Sequence, residues 1–278
     1  MAEFVSSKQE ILDLIKASYP LIYIVSAEED RVEKHLKTIS TDRNRALVAW
    51  STTEGFTMPE PDDKFAGKAS VPSDVKDPFK ALEHIEKHEG DAIFVLRDFH
   101  PYLTDPFIVR KLRDLCKKLP KTSSAGKKHI ILLSSVFKAP VEIEKDIAVV
   151  DFDLPDENIV TKIFDDFVHS LSRGDAKMRE IARQYGEETD EGQKKREIIV
   201  KSALGLTANE ISSVLMKSVI REKDINIDTI LSEKKNIIRK SGILEFYQTH
   251  EQFSDIGGLE ILKDWLKKRR LAFLDGAK

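Results

Sequence analysis

The chain has 278 residues, enough for one large domain or two modest ones with a sizeable core. With 33% charged and 41% hydrophobic residues and a formal net charge of −3, it is not built as a whole to bind nucleic acid or an anionic membrane. Its one cysteine, Cys116, excludes an internal disulfide or a multi-cysteine zinc site, and neither a leader-like start nor an apolar run of roughly 20 residues is present, so a cytosolic protein without a membrane partner is expected.

The first half alternates helix-like and strand-like segments. Ile11, Leu14 and Ile15 fall at helical spacing, and after Pro20 the run Leu21-Ile22-Tyr23-Ile24-Val25 reads as a buried parallel strand. Ser26 with Glu29 three residues on predicts a capping box for the next helix, whose inner face carries Val32, Leu36 and Ile39. Ala46 to Trp50 is a second strand, and Thr57 to Asp77, rich in Pro, Asp, Gly and Ser, reads as a surface loop. Asp77-Pro78 and Asp105-Pro106 each pair an N-cap with a first-turn proline. Between and after them lie strands at Ala92–Leu96, His129–Leu133 and Ile147–Phe152. Five strands, most of them separated by helices, predict an α/β fold: a three-layer αβα parallel sheet with right-handed crossovers.

Beyond Pro155 the pattern becomes helical. Ile159, Ile163, Phe167 and Leu171 mark one helix, a charged stretch runs from Arg173 to Arg196, and "GLTANEISSVLMKSVI" opens with Thr207 and Glu210 as a capping box. The expected division is 1–154, an α/β domain; 155–245, a helical lid-like domain; and 246–278, a connector leading into "DIGGLEILKDWLKKRR".

Ligands of an open parallel sheet bind beyond the carboxyl ends of its strands. After the first strand comes "SAEED", with neither the glycines that wrap a phosphate nor the lysine that neutralises it. Glu28 and Glu29 read instead as acids at a helix N-terminus. "IFVLRDFH" ends near Asp98 like a Walker B strand, whose Asp helps hold Mg²⁺, but Phe99 occupies the place of the second acid. An Asp satisfied by backbone N–H groups is the simpler reading of Asp98. "SSAGKKH" precedes a strand rather than following one and reads as a solvated loop. His84 and His88 have a zinc-compatible spacing but no third ligand, and read as surface histidines. Catalytic and metal residues are therefore expected to be none.

The blocks "PLIYIVSAEEDRVEKHL", "FVLRDFHPYLTDP", "KDIAVVDFDLPD", "LGLT", "EKKNIIRKSGILEFY" and "DIGGLEILKDWLKKRRLAF" occur in the order of an AAA ATPase family. That family is encoded as a hypothetical reading frame in cyanobacteria and algal plastids, and the chain resembles its N-terminal half. The resemblance implies a degenerate AAA+/P-loop core with its phosphate loop lost, then a helical lid, then the first helix of an AAA+ motor. It implies ATP and Mg as cofactors of the full-length family rather than of this chain. Asp255, Ile256 and Gly257 would line the adenine pocket only if the motor is present, and Asp98 would be a vestigial Walker B acid. Implied partners are the AAA+ motor domain, in cis or in trans, an unidentified protein substrate, and further copies of the protein in a ring.

Two other readings follow from the residues. One is a working nucleotide-binding enzyme with an atypical loop. The other is a clamp-loader-like nucleic-acid module using the basic clusters Arg110, Lys111, Arg113, Lys117, Lys118 and Lys267 to Arg270, although a charge run is more simply a solvated helix face.

Overall fold

The computed structural model describes residues 5–59, 72–121, 127–185 and 190–240, together with 259, 261, 262, 264–266 and 269. It forms two compact units, Met1–Ile230 and Leu231–Lys278.

The first unit opens with α1 (Ser7–Lys16), capped by the Ser6 hydroxyl, and β1 (Leu21–Val25). Then follow α2 (Glu29–Asp42), β2 (Ala46–Ser51), β3 (Gly55–Thr57) and α3 (Pro78–Lys87). Next come β4 (Ala92–Arg97), α4 (Pro106–Lys118), β5 (Lys128–Ser134) and β6 (Ala148–Asp151). Asp77 and Asp105 both cap as their sequence context requires, each accepting an N–H of the first turn, with proline where no donor is needed.

The sheet order is β3-β2-β4-β5-β1-β6, parallel except for β3, which pairs antiparallel with β2. Period-2 alternation sorts the side chains onto two faces. Leu21, Tyr23, Val48, Trp50, Phe94, Leu96, Ile130 and Leu132 pack with α3 and α4. Ile22, Ile24, Leu47, Ala49, Ile93, Val95, Ile131 and Leu133 pack with α1 and α2. The reason is directional. The chain leaves β1 toward β2 and then steps back through β4 and β5, so right-handed crossovers place α2 on one face and α3 and α4 on the other. The expected three-layer sheet is present.

Three details differ from the sequence reading. The short strand β3 lies where a loop was expected to begin; Gly55 allows it, with φ +69° and a Cβ position only 2.4 Å from the Ser73 carbonyl. The last strand, β6, is shorter than the expected Ile147–Phe152 and lies at the sheet edge with Val149 half exposed. Ser26 does not cap α2: the cap position is Glu28, and the Ser26 hydroxyl instead accepts the Glu28 N–H at 3.0 Å. A serine hydroxyl reaches an N–H two residues on as readily as one three residues on, and here the shorter turn wins.

The helical segment comprises α5 (Glu157–Ser172), α6 (Ala176–Gln184), α7 (Asp190–Ala203), α8 (Ala208–Glu222) and α9 (Ile227–Lys240). The Thr207–Glu210 capping box forms in full. Phe164, Phe167, Leu171, Ile181, Ile199, Leu206, Ile211 and Leu215 are buried, as three-helix packing around α5 requires.

Candidate functional site

Beyond the carboxyl ends of β1, β4 and β5, where connections depart to opposite faces of the sheet, lies the crevice in which an open α/β sheet binds its ligands. At β1 the Ser26 N–H donates to the Ser134 carbonyl at 2.8 Å, and the Glu28 N–H is taken by Ser26. Two backbone donors of this turn are thus committed, one across to β5 and one within the turn. Glu28 itself is 5% exposed, and its carboxylate accepts from Arg31 and, at 2.7 Å, from the backbone N–H of Ala208 at the start of α8. Arg31 also bonds the Asp153 carbonyl and lies 4.5 Å from the centre of the Phe152 ring.

At β4 the chain turns sharply. Asp98 has φ +46°, in the left-handed region that Asp tolerates better than most residues, and its N–H donates to the Leu133 carbonyl at 2.9 Å. Its carboxylate is mostly exposed, with Oδ1 3.9 Å from His100 Nδ1. That nitrogen is 2.7 Å from the Ser134 hydroxyl. Phe99, in the place of a second acid, is sealed in the core against Trp50 and Tyr102 at 5.6 and 5.5 Å. Burial, and next the Asp98 carboxylate, raise the Glu29 pKa. Arg97 grips Glu33 with two bonds of 2.7 and 2.8 Å, which hold the guanidinium charged. Among the described residues no group of three His, Cys, Asp or Glu could hold a metal.

A groove of about 790 Å³ runs from His100 along α4, floored by Leu103, Pro106 and Val109 and closed by Lys138 to Pro140. Phe107 and Val141 stand exposed nearby, and among the described residues the buried Nε of Arg113 has no hydrogen-bond partner and makes a loose ion pair to Asp146 at 3.8 Å.

Of the residues singled out in the sequence, Asp98 lies in the crevice, while Asp255, Ile256 and Gly257 lie outside the described residues. His84 and His88 are not free surface groups. Their rings pack on Phe56 and Phe94 at 4.7 and 5.1 Å, and burial lowers both pKa values. The Gly126-Lys127-Lys128 stretch is no phosphate loop where it is described. Lys128 is a buried β5 residue bonded to carbonyls at the end of α3. The basic face of α4 is largely matched: Lys111 and Lys118 flank Glu86 at 2.5 and 2.6 Å, holding its carboxyl down at about 2, and Arg110 pairs with Asp114 at 2.7 Å. Of the second cluster Arg269 is described, stacked 4.9 Å over Trp265, while Lys267, Lys268 and Arg270 lie outside. The Glu28–Ala208 contact was not legible in the sequence, because nothing in one chain marks two residues 180 positions apart as neighbours.

A mostly parallel sheet flanked by helices on both faces, with a helical segment after its last strand, defines a three-layer α/β protein. Residues 7–152 match the SpoVK-like AAA ATPase N-terminal domain, and residues 175–241 match the second domain of the same family. The chain belongs to the SpoVK-like AAA ATPase family. It is 36% identical over 274 residues to the uncharacterized AAA domain-containing protein ycf46 of Trieres chinensis, and 33% identical over 276 residues to that of Guillardia theta. These alignments cover 95% and 97% of this chain and 49% of each relative, so the chain spans about half the length of the curated relatives it matches. Among solved structures it is similar to PCH-2 of C. elegans (TM-score 0.48, 12% identity, 84% of this chain and 69% of that one). It is also similar to the RuvB branch migration motor of Thermotoga maritima (TM-score 0.45, 10% identity, 86% and 71%). Among the described residues no helix is long and apolar enough to cross a membrane.

Proposed function

We propose that this chain is the non-catalytic regulatory and interaction half of a cytoplasmic AAA+ ATPase that remodels a protein or complex. In this reading residues 1–154 are a degenerate AAA-like domain, 155–245 its lid-like companion, and 246–278 the entry to a motor supplied in cis or in trans. ATP and Mg²⁺ serve that motor, whose adenine pocket would include Asp255, Ile256 and Gly257, and the full-length protein assembles as a ring.

The observation that carries the reading is the state of the first strand's turn. Phosphate recognition needs free backbone N–H groups and a nearby cation. Here the Ser26 and Glu28 N–H groups are bonded internally and a buried carboxylate, Glu28, faces the same corner. A triphosphate entering it would meet like charge and find these two donors already committed.

Calorimetric titration of the chain with ATP and Mg²⁺ tests this. No saturable heat is expected. Tight binding that Asp98→Ala abolishes would overturn the proposal and make the chain a nucleotide-binding enzyme with an atypical loop.

A further inference from the structure

We infer that the Glu28 carboxylate is a latch that holds the helical segment on the sheet layer, performing with a side chain of the protein the bridging that a bound anion would otherwise supply. Four chain segments meet at this point. The start of α2 brings Glu28 and Arg31. The start of α8 brings the Ala208 N–H, 2.7 Å from Glu28 Oε1. The end of β6 brings Asp153, whose carbonyl accepts from Arg31. The start of α1 brings Ser7, whose N–H and hydroxyl bond Asp153 at 2.8 and 3.0 Å.

The chemistry of each contact is that of anion recognition. The first-turn N–H groups of a helix carry partial positive charge, so a carboxylate at the start of α8 is favoured. Arg31 donates from Nε at 2.9 Å and from Nη2 to the same Glu28 oxygen, leaving Oε1 for Ala208. Both oxygens of the buried carboxylate are thus satisfied, as a charge with 5% exposure requires. Arg31 is held in turn by the Asp153 carbonyl and the face of Phe152. The capping box of α8 adds to the arrangement. Thr207 and Glu210 satisfy each other, so they fix the helix start and leave the Ala208 N–H to point at Glu28.

Because every member of the latch is covalently part of the chain, it closes without a ligand. The helical segment is then held on the sheet layer in all nucleotide conditions, unlike a lid whose closure depends on what is bound. The inference stands apart from the proposed lack of nucleotide binding, since these bonds are made in the chain as it is.

Hydrogen exchange on the full chain tests it with two variants. Glu28→Gln keeps the side chain's shape and loses its charge; Glu28→Ala removes the group. Both are expected to speed exchange of the Ala208 amide at least tenfold, with Glu28→Ala the larger, while the amide of Ile93 in β4 stays as protected as before. The fold is thereby shown intact in the same spectrum, and Glu28→Gln serves if the alanine variant fails to fold. Unchanged Ala208 exchange in Glu28→Gln or in a folded Glu28→Ala overturns the latch. ATP binding by the unaltered chain would instead overturn the proposed function and leave the latch standing.

Discussion

His129 shows how far one side chain's environment can be read from its bonds. Arg45 can only donate, so its Nη1, 2.6 Å from His129 Nε2, requires that nitrogen to accept. The proton is therefore on Nδ1, which donates to the Tyr19 carbonyl at 2.8 Å. The ring is 1% exposed, and burial, with the Arg45 and Lys127 charges against it and Asp91 for it, pushes its pKa down to about 4. An unfolded histidine titrates near 6.5. Between those values the unfolded chain binds a proton that the folded chain refuses, so stability present above pH 6.5 is lost as pH falls toward 4 and then levels off. The expected loss is on the order of 3 kcal/mol across the window. His35, His84 and His88 are also lowered by burial and act in the same direction. Urea midpoints at pH 7 and pH 5 should differ, and His129→Gln, which can donate and accept without titrating, should reduce the difference. An unchanged pH slope in that variant would show that His129 is not the group responsible.

At the scale of elements, α3 depends on a residue from another part of the chain. Its last carbonyls have no partners within the helix, and Lys128 of β5 supplies them: Nζ donates to Ile85, Glu86 and His88 at 3.1, 3.0 and 2.6 Å. A cation at a helix C-terminus is favoured, and these bonds offset the burial that lowers its pKa. Lys128→Met should cost about 1–3 kcal/mol in a urea titration, because buried carbonyls lose their donor. Lys127→Met, altering an exposed neighbour, should change almost nothing. Much of this level was legible in advance. The β-branched runs marked the five parallel strands, and Asp-Pro and Thr-x-x-Glu marked three helix starts, because these signals are local and chemical. What failed was equally physical. The short β3 has too few residues to show an alternation, and Ser26 had two N–H groups within reach. Lys128 looked like part of a solvated loop because its partners lie 40 or more residues away in sequence.

For the whole molecule, the described residues of the second unit beyond α9 include four that are apolar and open: Leu259, Ile261, Leu262 and Trp265 are each about half exposed or more. The relatives are about twice as long as this chain. In the first unit, candidate-site legibility stopped where long-range contacts began. The place of Asp98, just past the end of β4, could be read from residue types alone. The closing of that corner by Glu28 needed the fold.

The protein also carries its own clock. Cys116, the sole thiol of the chain, sits 9% exposed on α4, and burial followed by the Asp146 charge pushes its pKa up to about 12. The thiolate is the reactive form, so an alkylating reagent at neutral pH finds almost nothing to attack until the sheet and α4 come apart. The rate of Cys116 modification should then count openings of the first unit directly, with no label introduced, and should rise in Lys128→Met by the same factor as the unfolded population. A modification rate matching that of a free peptide thiol would show that α4 opens without the sheet.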